Sequence, residues 1–300
     1  MRVGIDSYSY HRLLGEIRPG EPPPPGRLAD GGAAVVAEAR ALGVDGVALE
    51  TCYLGPPSRD LATSLAAEAG RMELVFSWGA PNGLWFGARP EALAELLAWI
   101  AAAAAAGTRT MRIVVAGPAL RGLEPVHEQI RRTVEPLRTA ARAAASAGIA
   151  LAIENHGDLA AAQLAELIDA AGEDALGVCF DTANALRVGD DTLEAVRLLA
   201  PRVRMVHLKD VEPVGTATDP VAGPRSVRYG AGVVPLDAVL GVLEDAGFDG
   251  LACVEVAQLG PGDDERELVA DSVAWLRRRA VARTGVRPGS DPGLRPAAPR

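Results

Sequence analysis

The stretch LAIENHGD, residues 151–158, joins an apolar, strand-like run to a polar end that begins at Glu154. The same arrangement recurs three times further along the chain, in LGVCFDTAN (176–184), RMVHLKD (204–210) and LACVEV (251–256). In each case a side chain that can bind a metal lies at or near the C-terminal end of the predicted strand. A parallel α/β barrel builds its active site at that end of its strands. The four stretches therefore predict both a barrel and the position of its site.

The four strand ends carry one ligand candidate each: Glu154, Asp181, His207 and Glu255. Three carboxylates and one imidazole form a mostly oxygen-donor set, which suits a divalent cation such as Mn²⁺, Mg²⁺ or Co²⁺, with Zn²⁺ as a further candidate. A carboxylate that ends an apolar strand faces either the barrel mouth or the apolar interior. Burial in the interior costs too much free energy unless the charge is paired or bound to a metal. A salt bridge to arginine, or a helix N-cap at Asp181, stays open as the simpler alternative. We predict a metal site because the pattern recurs on four consecutive strands.

The whole chain alternates strand-like and helix-like segments. Eight apolar runs are predicted as strands: 2–6, 46–50, 73–77, 110–115, 149–154, 176–181, 204–209 and 251–256. Eight amphipathic, often alanine-rich segments are predicted as helices: 31–42, 58–70, 90–106, 125–147, 159–171, 191–200, 235–246 and 264–283. Several of them run into a glycine, which is typical of a helix C-terminus before the next strand. Eight alternating pairs indicate an α/β protein, a single (β/α)8 TIM barrel rather than an open sheet.

Three segments depart from this alternation. Residues 15–28 form a proline-rich insertion after the first strand, which we expect to loop over the barrel mouth. Residues 211–234 form a second long loop, after the seventh strand. Residues 284–300 are rich in Gly, Pro and Arg and have no apolar period, which predicts a disordered C-terminal tail after a barrel domain that spans residues 1–283.

The composition excludes several classes of partner. Apolar residues make up 49% of the chain, enough for one large core, while the formal net charge of −9 argues against a nucleic acid, whose phosphates are bound by Lys and Arg. No apolar run is long enough for a membrane helix, and strand-like residues follow Met1 directly, without a signal peptide. The three cysteines are widely spaced, which indicates neither disulfides nor a thiolate zinc site. We expect a cytoplasmic protein with no membrane partner.

The strings IENH, FDTAN, VHLKD and VEV, in this order and at these strand ends, resemble the xylose-isomerase-like TIM-barrel superfamily. That superfamily contains sugar-phosphate isomerases and epimerases, ketose 3-epimerases, inosose dehydratases, hydroxypyruvate isomerases and endonuclease IV. The resemblance covers residues 1–280 approximately and is strongest over 149–256. It implies one metal ligand from each of strands 5 to 8: Glu154, Asp181, His207 and Glu255.

In the epimerases of this family the two glutamates also transfer protons on opposite faces of the substrate. The resemblance therefore gives Glu154 and Glu255 the catalytic role. A metal chelated by a carbonyl and an adjacent hydroxyl acidifies the neighbouring C–H and stabilises the enediolate, while a carboxylate beside that carbon acts as base. The leading prediction is a divalent-metal-dependent isomerase or epimerase of a small sugar, sugar phosphate or keto-sugar, with no nucleotide cofactor.

Six further residues are predicted to contact the substrate: His156, Asn184, Lys209, Glu50, Arg228 and Trp78. His156 lies two residues after Glu154 and therefore points to the same side of an extended strand, where it would bind substrate or hydrogen-bond a ligand carboxylate. A structural histidine in the turn stays open as the alternative. Lys209 follows His207 in the same way and can hold a phosphate, a carboxylate or a developing oxyanion, with Asp210 as its alternative partner.

The other four candidates rest on position alone. Asn184 stands where sugar epimerases of the family often carry a histidine, and this departure argues against a simple ketose 3-epimerase. Glu50 ends the second strand, where its expected partner is either a substrate hydroxyl or an arginine. Arg228 lies in the loop after the seventh strand, and Trp78 opens a segment with three aromatic residues, which commonly stack on sugar rings.

Several alternatives stay open. On the same scaffold a lyase, meaning a dehydratase, a decarboxylase or a β-eliminating enzyme, also begins with metal-assisted proton abstraction. A DNA-repair endonuclease like that of the superfamily would need three zinc ions, several more histidines and a basic surface for DNA. This chain is acidic and has four histidines, which argues against that function. A non-catalytic barrel would lack a ligand, and none of the four is missing. Formation of a homo-oligomer is also open, since the alanine-rich helix 90–106 would pack either on a neighbour or on its own barrel.

Overall fold

The computed structural model describes residues 1–24, 26–212 and 224–284. Its centre is a closed barrel of parallel strands, in which each strand pairs with its neighbours along the chain and the last pairs with the first. The strands are β1 Arg2–Asp6, β2 Gly46–Glu50, β3 Glu73–Trp78, β4 Thr110–Ile113, β5 Ala150–Glu154, β6 Leu176–Asp181, β7 Val203–Leu208 and β8 Leu251–Val254. The predicted (β/α)8 barrel is confirmed.

Helices cover the outside of the barrel between successive strands. They are α1 Gly31–Leu42, α2 Arg59–Ala69, α3 Pro90–Ala105, α4 Val126–Ser146, α5 Ala161–Ala171, α6 Asn184–Val188, α7 Thr192–Leu199, α8 Leu236–Asp245 and α9 Glu265–Thr284. The eight predicted helices are all present, and the short α6 is additional. Helices α1 and α5 end at Gly43 and Gly172, whose left-handed φ values of 63° and 65° suit a residue without a side chain.

Side chains that point into the barrel form two stacked layers, because every second residue of a strand faces inward. The lower layer is apolar and consists of Ala48, Val75, Ala152, Cys179, Met205, Leu251 and Cys253. The upper layer lies two residues further along most of these strands and is polar: Glu50, Ser77, Glu154, Asp181, His207 and Glu255, all of them buried. The polar layer therefore sits at the C-terminal mouth, above an apolar base.

The outer face of the barrel packs against the helices. Helix α3, the alanine-rich helix of the prediction, buries Leu96, Trp99 and Ile100 against its own barrel. The ring of Trp99 lies 5.6 Å from that of Phe76 on β3, measured between ring centroids. Its apolar stripe is therefore already used within the chain. No described helix is long and apolar enough to cross a membrane.

The proline-rich insertion lies at the barrel mouth and is fixed by a buried carboxylate. Glu21 lies 2.9 Å from Nε2 of His11, and its carboxylate accepts hydrogen bonds from the backbone N–H groups of Arg18 (2.8 Å) and Leu259 (2.9 Å). Glu21 thus connects the insertion both to the segment that follows β1 and to the segment after β8.

Two predicted segments are described only in part. After β7, the short strands Val211–Glu212 and Arg225–Ser226 pair as an antiparallel ribbon, and residues 213–223 between them lie outside the described part of the chain. The predicted tail 284–300 also lies outside it, except for Thr284, the last residue of α9.

Candidate metal centre

The four predicted ligands meet at the mouth of the barrel. They offer side-chain atoms that all lie within 4.8 Å of one another, and each is buried: Glu154, Asp181, His207 and Glu255. Strands β5 to β8 are neighbours in the barrel, which is why residues far apart in the sequence converge. That the cluster binds a metal stays a prediction, which the chemistry of its donor atoms supports.

Each of the four residues keeps at least one buried polar atom that makes no hydrogen bond among the described residues. These atoms are Glu154 Oε2, Asp181 Oδ2, both ring nitrogens of His207, and Glu255 Oε2. Several lie within ion-pair distance of a neighbour, such as His207 Nδ1 at 2.6 Å from Glu255 Oε2, but without the alignment of a hydrogen bond. Buried polar atoms are normally satisfied, so a group of unsatisfied ones that face each other fits a bound cation.

The simpler alternatives for Asp181 and Glu154 are present as well. Asp181 Oδ1 accepts hydrogen bonds from the N–H groups of Ala183 and Asn184, at 2.9 Å each, and so starts α6. Glu154 forms an ion pair with Arg112, whose Nε lies 2.7 Å from Oε2. Each carboxylate therefore has a structural partner and also an oxygen that faces the cluster.

Lys209 lies beside two of the four cluster residues. Its Nζ is 2.7 Å from Asp181 Oδ2 and 2.8 Å from Glu255 Oε1. Asp210 is therefore not its partner: the Asp210 carboxylate instead accepts hydrogen bonds from the N–H groups of Gly230 and Gly232 and shapes the loop before α8.

The charges around the two glutamates set their protonation. Burial raises the pKa of Glu255, but Lys209 and His207 outweigh it and hold that pKa well below its usual range. Burial also raises the pKa of Glu154, and Arg112 and His207 lower it by more. Both carboxylates are therefore ionised at neutral pH, the form that accepts a proton.

Arg112 on β4 is a buried residue that the sequence interpretation missed. Besides Glu154, its guanidinium contacts Glu50, and both carboxylates are 1% exposed. Of the two partners expected for Glu50, the arginine is thus the one observed. Burial disfavours the charged guanidinium, but Glu154 and Glu50 raise the pKa of Arg112, so it stays protonated. The available signal was a charged residue inside the apolar run 110–115.

A cavity of about 440 Å³ opens directly above the cluster. Of the predicted substrate-binding residues, four line it: His156, Asn184, Lys209 and Glu50. Asn184 Nδ2 donates a hydrogen bond to Glu154 Oε1 at 3.0 Å, so it holds that ligand and reaches the cavity. His156 Nδ1 makes no hydrogen bond among the described residues, and burial lowers the pKa of its imidazole to about 4, which keeps the ring neutral.

Two residues predicted to contact the substrate, Arg228 and Trp78, do not line this cavity. Arg228 is exposed and forms ion pairs with Glu267 and Asp271 on α9, so it lies on the outer surface rather than in the cavity. Trp78 is 2% exposed and does not line the cavity above the cluster. It follows the inward-facing Ser77, and the next residue of a strand points the other way. Trp78 therefore faces the helix layer and borders a separate cavity of about 300 Å³.

The rim of the cavity includes residues of the proline-rich insertion. The Tyr8 hydroxyl donates a hydrogen bond to Glu16 at 3.0 Å, and the guanidinium of Arg18 lies 5.0 Å from the centre of the Tyr8 ring. All three residues line the cavity. The prediction that the insertion loops over the barrel mouth thus agrees with the structure, although neither Glu16 nor Arg18 was singled out by a motif.

Comparisons with known proteins agree with this architecture. The chain is 30% identical over 206 residues to the 2-epi-5-epi-valiolone 7-phosphate 2-epimerase of an Actinoplanes species, a match that covers 66% of this chain and 74% of the epimerase. It is 31% identical over 105 residues to an inosose dehydratase of Clostridium perfringens, covering 32% of this chain and 35% of the dehydratase. Four of the curated relatives, this dehydratase included, are matched over less than half of their own length.

The solved structures support the fold. An L-ribulose 3-epimerase superimposes on the chain with a TM-score of 0.71 at 19% identity, covering 98% of this chain and 99% of the epimerase. The model of a protein family, the xylose isomerase-like TIM barrels, matches residues 36–279, which is most of the chain. The protein therefore belongs to the xylose isomerase-like TIM-barrel family.

Proposed function

We propose that this protein is a divalent-metal-dependent isomerase or epimerase of a small keto-sugar or sugar phosphate. The observation that carries the proposal is the set of four buried ligands with unsatisfied atoms, directly beneath a cavity of about 440 Å³. A cavity of this volume suits a small-molecule ligand. The similarity to an epimerase of a phosphorylated cyclitol-like substrate supports the same class of reaction.

Glu154, Asp181, His207 and Glu255 would hold the ion. When bound, a divalent ion supplies a Lewis acid that polarises a carbonyl and acidifies the adjacent C–H. Glu255 directly follows β8, Glu154 ends β5, and both are held ionised, so either can take a proton from a carbon placed in the cavity. The carboxylate that has gained the proton can return it to a neighbouring carbon, which is isomerisation. Epimerisation needs a proton on the other face of the same carbon, which the opposite glutamate can deliver once it has taken one up from solvent, while the first glutamate releases its own proton to solvent.

Asn184 and Arg112 keep Glu154 in position for this transfer. Asn184 donates to Oε1 of Glu154, and Arg112 faces Oε2. Groups held from two sides lose little freedom when a substrate binds, which favours proton transfer in a fixed geometry. The three cysteines of the chain are free thiols, which agrees with the proposed cytoplasmic location.

A lyase is the second candidate, and the similarity to an inosose dehydratase favours it. Both reactions begin with removal of a proton by one of the glutamates. They differ in the second step, in which an isomerase or epimerase returns a proton to carbon, whereas a dehydratase expels a hydroxyl group as water.

One experiment separates these outcomes. The protein is incubated with Mn²⁺ and a panel of keto-sugars and keto-cyclitols in D₂O, and the products are analysed by mass spectrometry and NMR. Isomerase or epimerase activity gives deuterium on carbon with an unchanged carbon skeleton, and dehydratase activity gives loss of water. Glu154→Gln and Glu255→Gln should both abolish turnover, while Glu166→Gln, at an exposed position on α5, should not. Absence of metal binding, or full activity in both glutamine variants, refutes the proposal.

A further inference from the structure

Lys209 is the only lysine in the sequence, which also contains 29 arginines. At this position the chain has an ammonium, whereas every other permanently charged basic side chain is a guanidinium. The two side chains are not equivalent, because the ammonium is a compact point charge and the guanidinium is a wide planar fork. The position of Lys209 therefore calls for a small cation.

The surroundings of Lys209 explain that requirement. Its Nζ lies between Asp181 Oδ2 and Glu255 Oε1, at 2.7 and 2.8 Å, and the residue is 7% exposed. Asp181 and Glu255 are two of the four residues that would hold a metal. The ammonium thus occupies space next to the same carboxylates that a divalent ion would bind.

The other permanent cation of the site, the guanidinium of Arg112, does not pair with these two carboxylates. Arg112 forms ion pairs with Glu50 and Glu154, on the opposite side of the cluster. Lys209 is the ion-pair partner of Asp181 among the described residues, and it shares Glu255 with His207, whose Nδ1 lies 2.6 Å from Glu255 Oε2. A buried carboxylate without a counter-ion is strongly unfavourable. The cluster is therefore kept stable by Lys209 for as long as no metal is bound.

The backbone of Lys209 is fixed, whereas its side chain has somewhere to go. Thr182 Oγ1 donates a hydrogen bond to the carbonyl of Lys209 and accepts one from its N–H, both at 2.8 Å. The Lys209 side chain borders the cavity of about 440 Å³. Rotation about the side-chain bonds can move Nζ from the carboxylates into the cavity without any change in the barrel.

We propose that Lys209 is a built-in counter-cation of the metal site, which a divalent ion displaces from Asp181 and Glu255 into the substrate cavity. The inference rests on the proposed metal site. A divalent ion bound to Asp181 and Glu255 would repel an ammonium held by the same two carboxylates, so the ion and the ammonium compete. The displaced ammonium then lies where it can donate a hydrogen bond to an oxygen of the substrate.

The first test is the affinity for Mn²⁺, measured by isothermal titration of the full chain after removal of metal. Lys209→Met should bind Mn²⁺ about tenfold more tightly or better, because the ion no longer competes with an ammonium. The matched control is Arg187→Met, which removes a cation from the same cavity wall and should change the affinity less than about threefold. Circular dichroism checks that both variants are folded. Weaker or unchanged binding by Lys209→Met overturns the inference, since Lys209 would then be a positioning residue for its two carboxylates.

The second test uses the uniqueness of Lys209. Protein grown with lysine labelled with ¹³C at Cε has a single labelled side chain, whose Cε–Hε signal reports on its surroundings. Titration with Mg²⁺ should shift this signal, and it should not shift in Asp181→Asn, in which the ion has lost a ligand. A signal that does not respond to an ion that binds overturns the inference. If the wild-type chain and Lys209→Met both bind no divalent ion, the proposed function itself fails, an outcome distinct from binding without displacement.

Discussion

Replacement of Arg112 by methionine tests how the polar layer of the barrel is held together. The guanidinium is 2% exposed and contacts two carboxylates that are each 1% exposed, those of Glu50 and Glu154. Methionine fills a similar volume but leaves both carboxylates without their closest cation. Loss of one partner from a buried ion pair costs about 3–5 kcal/mol, because the remaining charge is desolvated and uncompensated.

The structure sets the size and the pattern of the effect. Glu154 keeps His207 Nδ1 at 3.7 Å, whereas Glu50 has no second cation among its ion pairs in the described part of the chain. Most of the loss should therefore come from Glu50. For a chain of this size the loss corresponds to a fall in Tm on the order of 10 °C. Removing the Glu50 charge in the double variant Glu50→Gln/Arg112→Met should restore more than half of it.

The assay is thermal unfolding followed by circular dichroism in the presence of EDTA, at one scan rate for all variants. Arg142→Met is the matched control, since Arg142 is an exposed arginine that pairs with Glu173 on the outer surface, and it should cost less than about 1 kcal/mol. The reasoning is refuted if Arg112→Met unfolds within about 2 °C of the wild type. It is also refuted if the fall in Tm of the double variant equals the sum of the falls in Glu50→Gln and Arg112→Met alone.

Three further predictions concern other parts of the site. His207→Gln should weaken Mn²⁺ binding about 100-fold or more in isothermal titration, and a Kd within threefold of the wild type would contradict its role as a ligand. Glu21→Gln weakens the contacts that fix the proline-rich insertion, so trypsin should cut after Arg27 several-fold faster, as followed by mass spectrometry; an unchanged rate would show that Glu21 does not hold this segment. Arg228→Ala should leave kcat/KM within twofold of the wild type, because its ion pairs lie on the outer surface, and a larger loss would place it back at the cavity.

The barrel and the ligand cluster could be predicted from the sequence because they depend on local patterns. Apolar runs define strands, and the last polar residue of a run lies at the mouth. Trp78 shows the limit of this argument: it stands one residue after the inward-facing Ser77, and a shift of one position changes the face on which a side chain lies. A strand end predicted only to within a residue or two cannot assign such a position.

The ion-pair partners on neighbouring strands could not be predicted from the sequence, for a different reason. Lys209 pairs with Asp181 and Glu255 because β6, β7 and β8 stand side by side with Asp181 opposite His207 in the register. Asp210, the next residue in the sequence, instead accepts hydrogen bonds from backbone N–H groups of the following loop. Which acid meets which base depends on the closed barrel, and the order of residues along one strand does not contain that information.

The charges of the polar layer give an independent reason to expect a divalent ion. Among the described residues this layer and its edge hold five carboxylates: Asp6, Glu50, Glu154, Asp181 and Glu255. They face two permanent cations, Arg112 and Lys209, and His207 can add at most one more positive charge. Two negative charges are then left over in a site where uncompensated charge is costly. Burial raises the pKa of Glu50 well above its usual range and that of Asp6 to about 6, so protonation of these two carboxyls offsets part of the excess in the absence of an ion, Asp6 only below about pH 6. A divalent cation adds two positive charges in one binding event, next to Glu154, Asp181 and Glu255, and the Lys209 ammonium that it displaces stays at the cavity wall. The ion would thus be bound beside the glutamates that transfer the proton.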